Sequence, residues 1–210
     1  MSELNNHHQD RAKVMEAFGG TRGLIDSGVP SVLFLIAFNI SHSLNLAVIA
    51  SLALSAILTI VRLITRDTLQ HAISGFVGIG ICALLARHTG KAQDFYLPGL
   101  WTNVGYAIAY TIANLIGWPV LGLMLGPILG ENLAWRKVSA RKKAYIRAGW
   151  IWVGLFVSRL IVQYPLYRAD NLNALGTARL IMGYPLFIFA GWLTWQVLKK
   201  VPSVKIEESA

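Results

Sequence analysis

The chain reads as an all-α protein, a polytopic bundle of about six transmembrane helices, on three observations. Apolar residues fill 55% of its 210 positions and charged residues only 14%, with a mean hydropathy of +0.52. Several apolar stretches approach the roughly twenty residues that a helix needs to cross a 30 Å hydrocarbon core. The basic residues collect between those stretches, on alternate sides. Too few polar side chains are left to coat a water-soluble globule.

The first stretch, residues 24–41, is firmly apolar only over 32–38, and Asp26, Ser27, Gly28 and Pro30 interrupt its start. A helix beginning at Pro30, capped by Ser27 or Asp26, is the expectation there. Five further spans follow at residues 44–63, 69–85, 97–116, 148–166 and 175–198. Between the spans 97–116 and 148–166 lies WPVLGLMLGPILGENL (118–133), where Pro119, Pro127 and three glycines leave apolar runs too short to span. That segment, ahead of the fifth span, is expected to lie in the interface or to re-enter the membrane.

Six spans with both ends cytoplasmic divide the chain into a polar N-terminal segment (1–23), a helical membrane domain (24–199) and a C-terminal tail (200–210). This arrangement puts only Arg87, Lys91 and Arg168 outside. Arg159 and Arg179 fall within spans and the remaining basic residues lie inside, as positive-inside sorting requires. The formal charge of +9 therefore reports topology, and nucleic acid is not an expected partner. Tyr96, Trp101 and Tyr167 fall where outer aromatic anchors belong, and Trp118, Trp135, Tyr145, Trp150, Trp192 and Trp195 where inner ones do. The N-terminus lacks the short apolar core and small-residue site of a cleavable signal, and the single Cys82 permits no internal disulfide.

Helices in lipid associate through small residues and polar contacts. Gly105, Ala109, Ala113 and Gly117 recur every four residues on one helix, Ala47, Ser51, Ser55 and Thr59 on another, and Ser74 and Gly78 on a third. Beside the glycine row runs a polar face, Asn103, Tyr106, Tyr110 and Asn114, which suits either interhelical hydrogen bonding or the wall of a hydrated cavity.

Residues 159–167, RLIVQYPLY, are echoed by 179–187, RLIMGYPLF, on consecutive antiparallel helices. Arg159 and Arg179 are then expected at similar depth, and Pro165 and Pro185 should each kink their helix. A guanidinium at depth costs about 2.5 to 3.5 kcal/mol on insertion scales unless it pairs, snorkels or meets water. Asp94 and Asp170 in the outer loops, Gln163 and Asn103 are the partners in reach, Asp94 foremost. Three readings stay open: an ion-pair network, a site for an anion or lipid headgroup, and snorkelling. On the inner side Arg136, Lys137, Arg141, Lys142, Lys143 and Arg147 would meet anionic headgroups. Asp26 pairs most simply with Arg22, one turn away.

No catalytic, cofactor-binding or metal-binding residue stands out. His7, His8, His42, His71 and His88 lack ligand spacing, and no phosphate-binding glycine loop occurs. An enzyme is not expected.

The phrases FGGTRGLIDSGVP, DFYLPG, GENLAWR, RLIVQYPLY and ARLIMGYPL, in this order, closely resemble a bacterial family of multi-pass membrane proteins known only as a domain of unknown function. The likeness covers residues 15–199 and implies an inner-membrane address. The tract 132–135 faintly resembles the intracellular septation protein A family, from which the FGG segment and the paired RL-I motifs depart. The expectation is an integral membrane protein without assigned activity. A small transporter or channel component with an anion site and an envelope scaffold are the alternatives. Membrane lipids are the expected partners, with a homo-oligomer or another membrane protein left open.

Overall fold

The computed structural model describes residues 20–64 and 69–203, with side chains from residue 29 on apart from those at 62 and 69–75. All regular structure among them is helical: α1 (Gly20–Ser41), α2 (Leu44–Ile64), α3 (Leu69–Thr89), α4 (Leu97–Leu115), α5 (Val120–Ile128), α6 (Ser139–Arg168), α7 (Leu172–Ile181) and α8 (Tyr184–Leu198). Short 3-10 turns at Ala92–Tyr96 and Ala134–Lys137 lead into α4 and α6. Segment 1–19, the Arg22–Asp26 pair, Arg66, Ser74 and the tail past residue 203 lie outside what is described.

The protein is an all-α, polytopic membrane-helix protein. Three stretches are long and apolar enough to cross a bilayer: Leu44–Val61, Ser139–Arg168 and Leu172–Leu198. A fourth forms if Ala92–Leu115 and Val120–Ile128, bent by 83° at their junction, count together. Val29–Ser41 and Phe76–Thr89 are shorter apolar helices.

Two element boundaries depart from expectation. Helix α1 begins at Gly20, and Pro30 lies fully buried inside it. Proline removes one amide donor and bends a helix, yet neighbouring helices in a membrane protein tolerate that loss. The last span is two helices, broken at Met182 and Gly183. Pro165 leaves α6 continuous over 30 residues, although the same Tyr-Pro pair follows the break between α7 and α8. The echoed segments differ just before that pair, where Gln163 stands in one and Gly183 in the other. Glycine costs about 1 kcal/mol more than a good helix former, which weakens the helix just where the proline already removes a bond.

The chain forms two compact units, one of residues 19–102 and 161–182, the other of 103–160 and 183–203 within the described range. In the first, α1, α2 and α3 pack together and α7 joins α1. Its core gathers Phe34, Ala47, Ile79, Ala83, Phe95 and Leu175. The row Ala47, Ser51, Ser55 is buried as expected, and Ser51 returns its hydroxyl to the Val48 carbonyl. In the second unit, residues 141, 144, 145, 148, 149, 152, 155 and 156 make one buried stripe along α6. Against it pack Tyr110, Leu121, Leu125, Trp135 and Ala190.

The glycine row of α4 does not behave as expected. Gly105 and Ala109 are exposed, with open space beyond Gly105, while the buried stripe of that helix is Asn103, Ala107, Tyr110 and Asn114. Gly78 of α3 is likewise exposed. The aromatic anchors also divide: Trp101, Trp118, Trp150 and Trp192 are exposed, whereas Tyr96, Trp135 and Tyr145 are buried core residues.

Candidate functional site

In the first unit the polar side chains converge on the DFYLPG segment. Asp94 is buried and accepts a hydrogen bond from the Tyr167 hydroxyl at 2.6 Å. Phe95 stacks on Phe34 with centroids 3.9 Å apart, which pins the segment to α1. Arg179, half-buried on α7, donates to the Tyr96 carbonyl at 3.2 Å and lies 5.2 Å from the Tyr96 ring. Its guanidinium occupies the space above Gly99, where a β-carbon would collide with it. The glycine of this motif thus leaves room for the arginine of the ARLIMGYPL motif, which would have to shift if a side chain stood there. Gln163 is buried in the same unit, and its Nε2 has no hydrogen-bond partner among the described residues. Gln93 donates to the Asp170 carboxylate, tying the loop before α4 to the corner between α6 and α7.

Arg179, Asp94 and Gln163 share a unit, and the described bonds of Asp94 and Arg179 go to Tyr167 and to the Tyr96 backbone. Arg159 and Asn103 belong to the second unit. There the Arg159 guanidinium lies 4.9 Å from the Phe187 ring. Along the polar face of α4, Tyr110 stacks on Trp152 at 6.2 Å, and Tyr106, itself half exposed, stacks on Phe156 at 5.2 Å. Asn114 is buried against Gly149 of α6, and neither its oxygen nor its nitrogen has a hydrogen-bond partner among the described residues. Trp152 donates through Nε1 to Thr194 at 3.0 Å, which joins α6 to α8.

The second unit also holds a charged cluster that the sequence reading did not assemble. Glu131, 0% exposed, meets Arg141, 3% exposed, with Nη2 to Oε1 at 2.6 Å and Nε to Oε2 at 3.2 Å. Tyr145 donates its hydroxyl to Oε2 at 2.9 Å. The remaining nitrogen, Nη1, donates to the carbonyls of Leu198 and Val201 at 2.9 and 2.7 Å. Those carbonyls are at the C-terminal end of α8, where a cation completes the helix. Arg141 is thus turned into the protein, away from lipid headgroups. Of its run, Arg136, Lys137, Lys143 and Arg147 are exposed and Lys142 is partly so. Arg136 stacks over Trp118 at 3.4 Å, and Lys142 approaches Gly117 at the end of α4.

A usable signal for this cluster was present in GENLAWR: Glu131 is the one carboxylate between Asp94 and Asp170, and it lies beside the chain's densest basic run. The rest of the motif is loop geometry. Gly130 and Asn132 take positive φ, and Trp135 lies on Gly122 and Gly126, where a β-carbon would approach its ring to 2.8 and 2.9 Å. No group of three or more metal-ligating side chains occurs among the described residues.

The chain belongs to the family described as protein of unknown function (DUF3159), whose model matches residues 18–205. No curated protein and no solved structure matches it significantly. It is an integral membrane protein whose molecular function that membership leaves unassigned.

Proposed function

We propose that this protein is a non-enzymatic scaffold of the bacterial cytoplasmic membrane, with six spans and both ends cytoplasmic, and that its intramembrane arginines hold the bundle rather than a solute. The observation that carries the reading is where the guanidinium donors go. Arg141 spends its bonds on Glu131 and two carbonyls, and Arg179 bonds a backbone carbonyl while covering Gly99. A site for an anion needs such donors directed at open space.

Support for six spans comes from pairs of ends held together. The Gln93–Asp170 and Asp94–Tyr167 bonds join the loop before α4 to the end of α6. Arg141 joins the start of α6 to the end of α8. Both fit helices that alternate in direction. The scaffold's lipid contacts fall to the exposed members of the basic run, Arg136, Lys137, Lys143 and Arg147, which would meet anionic headgroups. The septation analogy adds nothing to this reading, since the tract 132–135 is accounted for by the seating of Trp135.

Reconstitution tests the proposal. Proteoliposomes loaded with chloride, phosphate or a small carboxylate should release each no faster than empty vesicles. None of the three should raise the melting temperature of the protein. Anion flux, or anion-dependent stabilisation that disappears in Arg179→Met, would replace the scaffold by a transporter.

A further inference from the structure

Five of the described helices close on a residue of positive φ, three of them on glycine and two on a residue that carries a side chain. Helices α3, α4 and α5 each close on a glycine of positive φ, namely Gly90, Gly117 and Gly130. At the end of α1 the same position is His42, with φ 49° and its amide donating to the Phe38 carbonyl at 2.8 Å. At the end of α6 it is Asp170, with φ 53° and its amide donating to Tyr167 at 3.2 Å. Side chains are disfavoured in this left-handed conformation, and glycine is the usual solution. Both exceptions line one cleft of about 470 Å³, together with Phe38, Asn39, Asn171 and Leu172. Side chains kept where glycine would be easier point to a use for them.

We infer that this cleft is a binding site for a primary ammonium group, the head of an aminophospholipid or of a free amine, with Asp170 as its counter-ion. The chain carries a formal charge of +9, yet the one fixed charge among the residues lining the cleft is the carboxylate of Asp170. Gln93 donates to Oδ1 of that carboxylate, which leaves Oδ2 for the ligand. Asn39 donates its Nδ2 to the Leu35 carbonyl, so its oxygen remains to accept. Phe38 and Leu172 supply an apolar wall for the carbons beside the ammonium, and an aromatic face attracts a cation. Two helices, α1 and α6, direct their C-terminal, electronegative ends at the cleft. Two helices also begin there: α7, capped by Asn171, whose Oδ1 accepts from the Ala174 amide at 3.0 Å, and α2, whose Leu46 amide donates to the Ser43 hydroxyl at 3.5 Å. The helix ends thus balance, and the Asp170 carboxylate is what favours a cation.

The test uses the full chain in nanodiscs, followed by thermal unfolding. In phosphatidylglycerol discs, ethanolamine at about ten times its dissociation constant should raise the wild-type melting temperature by roughly 3 °C over a sodium control of equal ionic strength. If the head must come from lipid, the rise appears only when phosphatidylethanolamine replaces part of the phosphatidylglycerol. Either source supports the site, provided the rise is lost in Asp170→Asn, which tolerates the same backbone conformation. His42→Gly separates binding from folding, because it relieves the left-handed residue: its own melting temperature should be unchanged or higher, with a smaller response to the amine. No rise from either source, or an equal rise in Asp170→Asn, would overturn the inference.

Discussion

Arg141 and Glu131 show how burial decides what a charged residue does. An arginine in a run of six basic residues beside a span is expected at the headgroups. Here one member is enclosed by a carboxylate, a phenol and two carbonyls. Removing one partner of such a pair costs about 3 to 5 kcal/mol, because the other charge stays buried without compensation. Removing both leaves no charge to strand. Glu131→Gln and Arg141→Met should each lower stability by about that amount, while the double variant loses clearly less than the sum of the two. Chemical or thermal denaturation of the four proteins in one detergent measures it, and additive losses would mean that the pair does not act as a unit. Sequence made the ingredients visible and the pairing invisible: ten residues separate Glu131 from Arg141, and a 3-10 turn, not a helical spacing, brings them together. The same limit applies at Tyr96, whose position suits an interfacial anchor and which is buried against Phe34 and Phe95.

At the scale of the element, hydropathy located the apolar segments among the described residues, yet the last of them is two helices and three stretches, or four with the bent pair, are long and apolar enough to cross; what escaped was how proline acts. Pro30, Pro165 and Pro185 are chemically alike, yet the first two lie inside continuous helices and the third sits in the first turn of a new one. The residue before the Tyr-Pro pair separates the last two cases. Gly183→Gln should therefore mend the break and make α7 and α8 resemble α6, slowing amide exchange across residues 182–187. Gln163→Gly should do the reverse, speeding exchange across 162–167 and lowering stability by about 1 kcal/mol from helix propensity, together with the lost packing of a buried side chain. Unchanged exchange in both would assign the break to tertiary packing. The small-residue row of α4 carries a related lesson. Spacing identified a face, and only packing could tell that the buried side is the adjacent stripe bearing Asn103, Tyr110 and Asn114.

For the whole molecule, charge bias supplies an orientation that no contact within the chain can supply, since every hydrogen bond is indifferent to which side is cytoplasm. Contacts supply the complement, namely which ends lie together. The proposed arrangement joins the two kinds of information, and site-directed labelling tests both at once. Cys82 is buried and is first replaced by alanine to give a silent background. Lys91, in the loop before α4, and Asn173, in the first turn of α7, are exposed and assigned to the outside, and Ser139 is exposed at the start of α6 on the inside. In intact spheroplasts a membrane-impermeant thiol reagent should modify Lys91→Cys and Asn173→Cys, and Ser139→Cys only after permeabilisation. Labelling at Ser139 with protection at the other two would invert the molecule. Ser2→Cys then decides the number of spans, because the loops from α2 onward keep their sides whether or not α1 crosses. Protection of Ser2 until permeabilisation gives six spans, whereas labelling in intact cells leaves five and places Arg11, Lys13 and Arg22 outside against the charge bias.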